Sequence, residues 1–397
     1  MLSFLRFAAY IASFATLTGC IMSSGSLPPA PLTPEQVQDS VDSFEDSMSV
    51  QQRVASSVRP VLVANADLCE KRTVFSLGFE WITINDLPFE TRRQVGPALE
   101  VGETPSISYV EAGSPAARAG LRRGDLLLMA NYMTIKAEPL QETVASRREG
   151  IRPYREYLTQ LLADAGEDGT SIRLSYQRGG VDDVVELQPQ ETCDVQVIVA
   201  ENASKTLSSK RRTIYLSRGL YEFAQSDAEL QALIAHQLAD FIRGHGTSNT
   251  TGTIAGGIVG GGAALGVMAP IAILGTVLSL LDGELDVGGG AMEALVVVLI
   301  AGAVTGSRIG SWIATSGNER KADYLSAYLL ARAGVDVKDA MNVWFRLSKE
   351  SDVARKLRAS DARLTAINKV VQEVTAKRDA NEPLIPNSKM KVSVARD

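Results

Sequence analysis

The sequence predicts an α+β protein with a mostly β module followed by a mainly helical module that contains a small sheet. Between about residues 74 and 190, short apolar segments are broken by glycines, which is typical of a small β domain. Beyond residue 226, the apolar residues recur at helical spacing. The chain has 397 residues, of which 45% are hydrophobic, and this is enough apolar material for more than one core.

The first 20 residues have the layout of a secretory signal peptide. Arg6 precedes an apolar run that is too short to remain as a membrane span. The run ends in LTGC, which resembles the bacterial lipobox, in which the cysteine, here Cys20, is acylated and anchors the chain. This resemblance implies a lipoprotein on the periplasmic face of a Gram-negative envelope, and Ile21 favours the outer membrane. The alternative is an ordinary secretory signal with a chance cysteine.

A tether and a capped helix follow the signal peptide. Residues 21–33 are rich in Ser, Gly and Pro, which predicts a flexible linker. Thr33 then supplies an N-cap, Pro34 the first helical position and Gln36 the reciprocal cap, so a helix is expected from residue 34. Its apolar stripe is more typical of a docking face than of a partner-binding helix.

Charge and histidine content restrict the possible functions. The formal net charge is −6, from 46 acidic and 40 basic residues, and this argues against a nucleic-acid partner. The chain has two histidines. Any histidine-based site therefore uses His236 or His245.

The first module resembles a PDZ domain over residues 74–190. Residues 113–127 read GSPAARAGLRRGDLL, which closely matches the bacterial PDZ signature. The resemblance implies that an extended peptide pairs with the edge strand after Gly78, while backbone amides of Leu77, Gly78 and Phe79 hold its terminal carboxylate. A degenerate PDZ domain that serves only as a spacer is equally compatible, since the loop begins with Ser rather than Gly.

Two further cysteines, Cys69 and Cys193, lie just outside the two ends of the PDZ-like module. In an oxidising compartment they are candidates for a single disulfide that joins the start of the module to its end. A reactive-thiol interpretation is weaker, because neither cysteine has a histidine nearby in the sequence.

The second module resembles the membrane-associated gluzincin metallopeptidases, the family that includes HtpX and the CAAX-prenyl endopeptidase. Residues 235–240 read AHQLAD, where this family has His-Glu-x-x-His, and residues 318–326 read NERKADYLS, where it has Glu-x-x-Ala-Asp. The resemblance covers residues 194–385, with residues 34–70 as an N-terminal helix of the same domain and residues 386–397 as a tail. It implies a helical zincin-like fold.

The metal site implied by the resemblance is degenerate. In the family, two histidines and a glutamate bind zinc, and a second glutamate is the general base. His236 and Glu319 match the first and third ligands, and Asp323 matches the carboxylate that orients an imidazole. Asp240 stands in place of the second histidine. Gln237 replaces the general base and cannot accept a proton.

These substitutions predict a catalytically impaired homologue in which zinc is possible but could be lost. His236, Asp240 and Glu319 could still form an atypical, oxygen-rich metal site. The other interpretation is a metal-free, hydrogen-bonded polar cluster. The His-Pro segment that the family has before its last helix is also absent, and residues 360–363 stand in its approximate place.

A glycine-rich hydrophobic segment separates the two motifs. Residues 251–307 form two apolar runs around an acidic turn, each about as long as a membrane helix requires, with glycines spaced four apart. A membrane-contacting hairpin is the favoured prediction, and a pair of buried core helices is the alternative.

Three classes of function follow. The first is an adaptor that binds peptides or unfolded envelope proteins in quality control without cutting them. The second is an active metalloendopeptidase that degrades misfolded envelope proteins through the His/Asp/Glu site. The third is a membrane-structural lipoprotein in which the hairpin is the functional part.

Overall fold

The computed structural model describes residues 31–70, 72–141, 144–210, 212–243, 316–354 and 357–386. This part of the chain is α+β, as the sequence predicts, with a mainly β module and a mainly helical module. The predictions for Cys20, His245, the 251–307 segment and residues 387–397 lie outside the described residues.

A long first helix, α1 (Pro34–Ala64), contacts both modules. It begins with the predicted capping box, since the Thr33 hydroxyl accepts from the Gln36 N–H and the Gln36 side chain accepts from the Thr33 N–H. Its first half packs Phe44 and Met48 into a small core. Its second half belongs to the largest core, so α1 docks on the rest of the protein, as its apolar stripe indicates.

The β module is a sheet with the order β2-β3-β4-β6-β7, so β2 is an edge strand. Its strands and helices, together with the two strands that flank it, are β1 (Thr73–Ser76), β2 (Phe79–Ile82), α2 (Arg92–Ala98), β3 (Ser106–Val110), α3 (Pro115–Arg118), β4 (Leu126–Ala130), β5 (Met133–Thr134), α4 (Val144–Ala165), β6 (Ile172–Arg178), β7 (Val181–Leu187) and β8 (Gln190–Cys193). The β6–β7 hairpin turns at Gly179 and Gly180, which have φ of 55° and 81° and therefore favour glycine.

Helix α4 is longer than the sequence suggests. The pattern predicts a loop over residues 137–153 and a helix over residues 154–163, but the helix begins at Val144. Proline removes a backbone donor and usually ends or kinks a helix. In the structure Pro153 lies inside the helix.

A short ribbon joins the two ends of the β module. β1 pairs antiparallel with β8, and Thr73 lies opposite Cys193. Cys69 and Cys193 form a disulfide with a Cα–Cα distance of 5.6 Å. The covalent link and the ribbon together hold the start of the module against its end.

The helical module surrounds a three-stranded sheet with the order β10-β11-β9. Its elements are β9 (Gln196–Ala200), β10 (Leu207–Lys210), β11 (Thr213–Ser217), α5 (Arg218–Phe223), α6 (Asp227–Ile242), α7 (Ser316–Arg332), α8 (Val337–Leu347) and α9 (Asp361–Asp379). The free edge of β9 is covered by Gln51 of α1, whose amide donates to the Val197 carbonyl at 2.7 Å and accepts from the Val199 N–H at 3.0 Å.

A buried carboxyl in the β module makes its stability depend on pH. Glu138 is 2% exposed and accepts a hydrogen bond from Thr83. Burial raises the pKa of Glu138 to about 7. The folded state therefore keeps a proton that the unfolded chain loses above its ordinary pKa of 4.5. Stability falls as the pH rises from about 4.5 to 7, by up to about 3 kcal/mol.

Glu138→Gln should therefore unfold at a higher temperature than the parent at pH 8 and show little gain at pH 5. Differential scanning calorimetry at the two pH values measures this. Glu186→Gln, at an exposed position of β7, is the matched control and should show no such difference. An equal shift for Glu138→Gln at both pH values would contradict the assignment.

Candidate functional site

The predicted site residues lie on two packed helices, α6 and α7. α6 is capped by Ser226, whose hydroxyl accepts from the Glu229 N–H at 3.2 Å. The helix is almost entirely buried against α7 and α8. His236 is consequently held in the protein interior and is 2% exposed.

Both nitrogens of His236 face carboxylates from α7. Nε2 lies 3.1 Å from Oε2 of Glu319, and Nδ1 lies 3.0 Å from Oδ1 of Asp323. The two carboxylates are four residues apart and therefore share one helix face. The structure thus brings together three of the residues that the sequence assigns to the site.

Asp323 is in turn held by Arg363 of α9. The guanidinium donates from Nε and Nη2 to the two carboxylate oxygens at 2.7 and 2.8 Å, and both side chains are almost fully buried. The same guanidinium lies over the ring of Trp344, 4.6 Å from its centroid. The Trp344 ring also contacts the His236 ring, with centroids 5.0 Å apart.

These contacts set the charges of the cluster. Burial lowers the pKa of His236, but the contacts with Asp323 and Glu319 outweigh this effect and raise the pKa to about 9. Burial raises the pKa of the two carboxyls, but His236 lowers that of Glu319, and Arg363 with His236 lowers that of Asp323. At neutral pH the cluster is an imidazolium between two carboxylates.

Asp240 and Gln237 occupy the other two predicted site positions on α6. Asp240 lies one turn after His236 on α6, and its Oδ1 is 3.6 Å from Nη1 of the buried Arg243. Gln237 is 7% exposed on the same helix. Its amide has no titratable proton acceptor at physiological pH.

A catalytic zinc ion requires a set of ligands that the side chains of this site supply only in part. Such an ion takes three protein ligands, and the 3.1 Å between His236 and Glu319 is near the roughly 3.3 Å between adjacent tetrahedral ligands. However, the described residues contain no group of three His, Cys, Asp or Glu side chains that could hold a metal ion. His236 and Glu319 keep two of the ligand positions, but no third ligand joins them among the described residues. The described residues therefore do not fit a catalytic zinc ion.

The predicted carboxylate loop of the β module is buried. Leu77 is 0% and Phe79 1% exposed. The carbonyls of Leu77 and Gly78 accept backbone hydrogen bonds from Ala116 and Glu111. Gly78 has φ of 75°, and a Cβ there would lie 2.1 Å from Cβ of Ser114, so this position requires glycine.

Two basic residues of the site were not assigned a role from the sequence. Arg243 follows Asp240 by three residues, and this spacing on a helix was a usable signal. Arg363 belongs to the segment that stands where the family has His-Pro. Its contact with Asp323 joins residues 40 positions apart, for which the sequence contains no local signal.

In the described part of the chain, every helix is too short or too polar to cross a membrane.

Comparison with known proteins gives two matches. Residues 187–377 match the model of peptidase family M48, and residues 106–145 match a model of the PDZ domain. No curated protein matches the chain.

Proposed function

We propose that this metallopeptidase-like protein, in which residues 187–377 match peptidase family M48 and residues 106–145 match a PDZ domain, is a catalytically impaired envelope lipoprotein that binds peptides or unfolded proteins. It acts as a quality-control adaptor on the periplasmic face of the outer membrane, anchored through Cys20. The 251–307 segment adds a second membrane contact.

The identity of two side chains on α6 carries the proposal. M48 peptidases are generally zinc-dependent and need a general base beside the metal. Gln237 cannot accept a proton from water, and this removes a contribution of about two to four orders of magnitude in rate. Asp240 is placed beside Arg243, whose positive charge opposes a metal ion there.

The charge state of the cluster supports the same function. An imidazolium has no lone pair for a metal, so a metal ion would have to displace the proton of His236. Without a metal, the buried charges are already paired, because His236 lies between two carboxylates and Asp323 accepts two hydrogen bonds from Arg363. The helical module can therefore keep its fold without zinc.

An active metalloendopeptidase with an atypical His/Asp/Glu site is the second candidate. One arrangement of side chains favours it. His236 and Glu319 keep the spacing of adjacent metal ligands, and Asp323 contacts the other imidazole nitrogen, Nδ1. In this candidate Asp240 supplies the third ligand, and the positive charge of Arg243, 3.6 Å from its Oδ1, opposes that role.

Metal content and proteolysis distinguish the two candidates. We expect purified protein, dialysed against zinc, to hold less than about 0.1 zinc per chain by mass spectrometry, and casein to stay intact. Glu319→Ala should change neither result. Stoichiometric zinc together with casein cleavage that Glu319→Ala abolishes would instead establish the peptidase.

The membrane anchor has its own prediction. Cys20→Ala should release the protein from the membrane fraction only in part, because the 251–307 segment also contacts the membrane. Ultracentrifugation of cell envelopes measures the distribution. A second variant that also lacks residues 251–307 should be soluble, and complete release of Cys20→Ala alone would refute membrane contact by the segment.

A further inference from the structure

We infer that residues 136–141, here called the strap, form a pH-sensitive device that is closed while Glu138 is protonated and opens when this carboxyl ionises. The strap lies between β5 and α4 and forms neither helix nor strand. Glu138 is 2% exposed, whereas the other five residues of the strap are exposed or half-buried. One buried ionisable side chain therefore anchors a segment that otherwise lies at the surface. This device is independent of the adaptor function proposed above.

A small set of hydrogen bonds holds the strap on the β module. The Glu138 N–H donates to the Glu103 carbonyl at 2.8 Å. The Asn85 side chain donates to the Pro139 carbonyl and accepts from the Gln141 N–H, both at 2.9 Å. Asn85 and Glu103 lie outside the strands, so the strap can lift without breaking a strand pair. Its opening would release the chain that leads into α4 from the turn that follows the edge strand β2.

The carboxyl of Glu138 lies in surroundings that suit its neutral form. One oxygen, Oε2, accepts from the Thr83 hydroxyl, and the other, Oε1, is buried without a hydrogen-bond partner. The same hydroxyl lies 3.4 Å from Oδ2 of Asp86, a second carboxylate that is 5% exposed. Ionisation of Glu138 would thus place two negative charges close together in the interior, which costs free energy unless the strap moves into water.

The nearby cations bind other groups. Arg155 of α4 pairs with Asp86, with Nη2 2.6 Å from Oδ1. Arg92 of α2 donates to Oδ1 of Asn85 at 2.8 Å. Glu138 forms no ion pair with any residue that the structure describes, so its ionised form lacks a paired cation.

The remaining titratable groups around the strap do not supply a buried counter-charge. Tyr154 of α4 donates to the Lys136 carbonyl, and burial raises the pKa of its hydroxyl, so this side chain stays neutral. Lys136 and Glu103 are exposed residues. The Glu103 carboxylate accepts from the Leu140 N–H at 2.9 Å and is thus bound to the strap backbone.

These contacts fix the direction of the pH dependence. Burial raises the pKa of Glu138 to about 7, and the hydrogen bond from Thr83 and the charge of Arg155 oppose this rise only in part. In the open strap the carboxyl is hydrated and returns to its ordinary pKa of 4.5, so opening releases a proton. The equilibrium constant for opening therefore rises with pH, by about 70-fold between about pH 5 and pH 8, and levels off above the raised pKa.

Hydrogen–deuterium exchange of the full-length protein in detergent at pH 5 and pH 8 tests this device. Protection factors, which correct for the pH dependence of intrinsic exchange, are obtained for a peptide that contains the Glu138, Leu140 and Gln141 amides. We expect the protection factor of the strap to fall by about 70-fold from the lower to the higher pH. The strap should exchange faster than β6 at each pH, because its opening is local. Equal protection of the strap and β6 would show unfolding of the whole module instead and would overturn the inference.

Two variants separate Glu138 from the rest of the strap. Glu138→Gln stays neutral and still accepts from Thr83, so its strap should stay closed, with protection equal within about twofold at the two pH values. Glu103→Gln removes an exposed carboxylate beside the same strap and should keep the pH dependence of the parent. The device is overturned if the parent shows no fall in protection or if Glu138→Gln keeps the fall. It is also overturned if the strap of Glu138→Gln is unprotected at pH 5, because a neutral side chain should close it.

Discussion

Loss of the Cys69–Cys193 disulfide should lower the free energy of unfolding by about 5 kcal/mol. The two cysteines are 124 residues apart in sequence, and closing so long a loop removes much entropy from the unfolded chain. The bond also joins the ends of the ribbon through which the chain enters and leaves the β module. Its loss should therefore loosen the β module from the helical module.

The Cys69→Ala, Cys193→Ala double variant measures this effect by guanidinium unfolding. Both residues are buried, at 0% and 1% exposure, so alanine is a closer replacement than serine. Reduction of the parent with dithiothreitol should reproduce the loss and should leave the double variant unchanged. A parent whose unfolding midpoint is insensitive to the reductant would show that the bond contributes little.

Replacing Arg363 with methionine should cost about 3 to 5 kcal/mol, because it leaves the carboxylate of Asp323 buried with one hydrogen-bonding cation removed. Asp323 is 1% exposed and accepts both of its short hydrogen bonds from this guanidinium. Arg363 lowers the pKa of the Asp323 carboxyl below its ordinary value of 3.8. The stabilisation is therefore present above about pH 4 and is lost as the pH falls through the lowered pKa of the folded state.

Guanidinium unfolding at pH 7 and at pH 3.5 measures both parts of this prediction. The loss should be large at pH 7 and smaller at pH 3.5. Arg363→Lys should recover part of the stability, because it keeps the charge but not the paired geometry. Arg358→Met, at an exposed arginine of the same region, should change stability by less than about 0.5 kcal/mol. A loss that is equal at the two pH values would show that packing against Trp344, rather than the ion pair, is what the variant removes.

Elements that depend on near neighbours could be predicted from the sequence. The capping box at Thr33 involves residues three apart, and the turn at Gly179 and Gly180 needs only two glycines between alternating strands. The amphipathic pattern of the sequence predicts a last helix over residues 352–378, whereas α9 begins at Asp361. The difference arises because residue 353 pairs with Lys205, a contact that the local pattern does not contain.

The chemistry available at each position of the candidate site also follows from the sequence. Gln237 cannot act as a base and Asp240 cannot act as a histidine in any fold. Impaired catalysis is therefore predicted without the tertiary structure. The two matched families likewise confirm a resemblance that rests on motif order.

The sequence alone thus determined which chemical groups this protein has, and it predicts that the peptidase reaction is impaired. Only the tertiary structure decided how those groups pair. It places Arg363 on Asp323 and Arg243 beside Asp240, and it buries the loop at Leu77. The physical reason is the sequence separation of the interacting residues. Capping and turn formation depend on residues a few positions apart, whereas burial and charge pairing join residues that only the folded chain brings together.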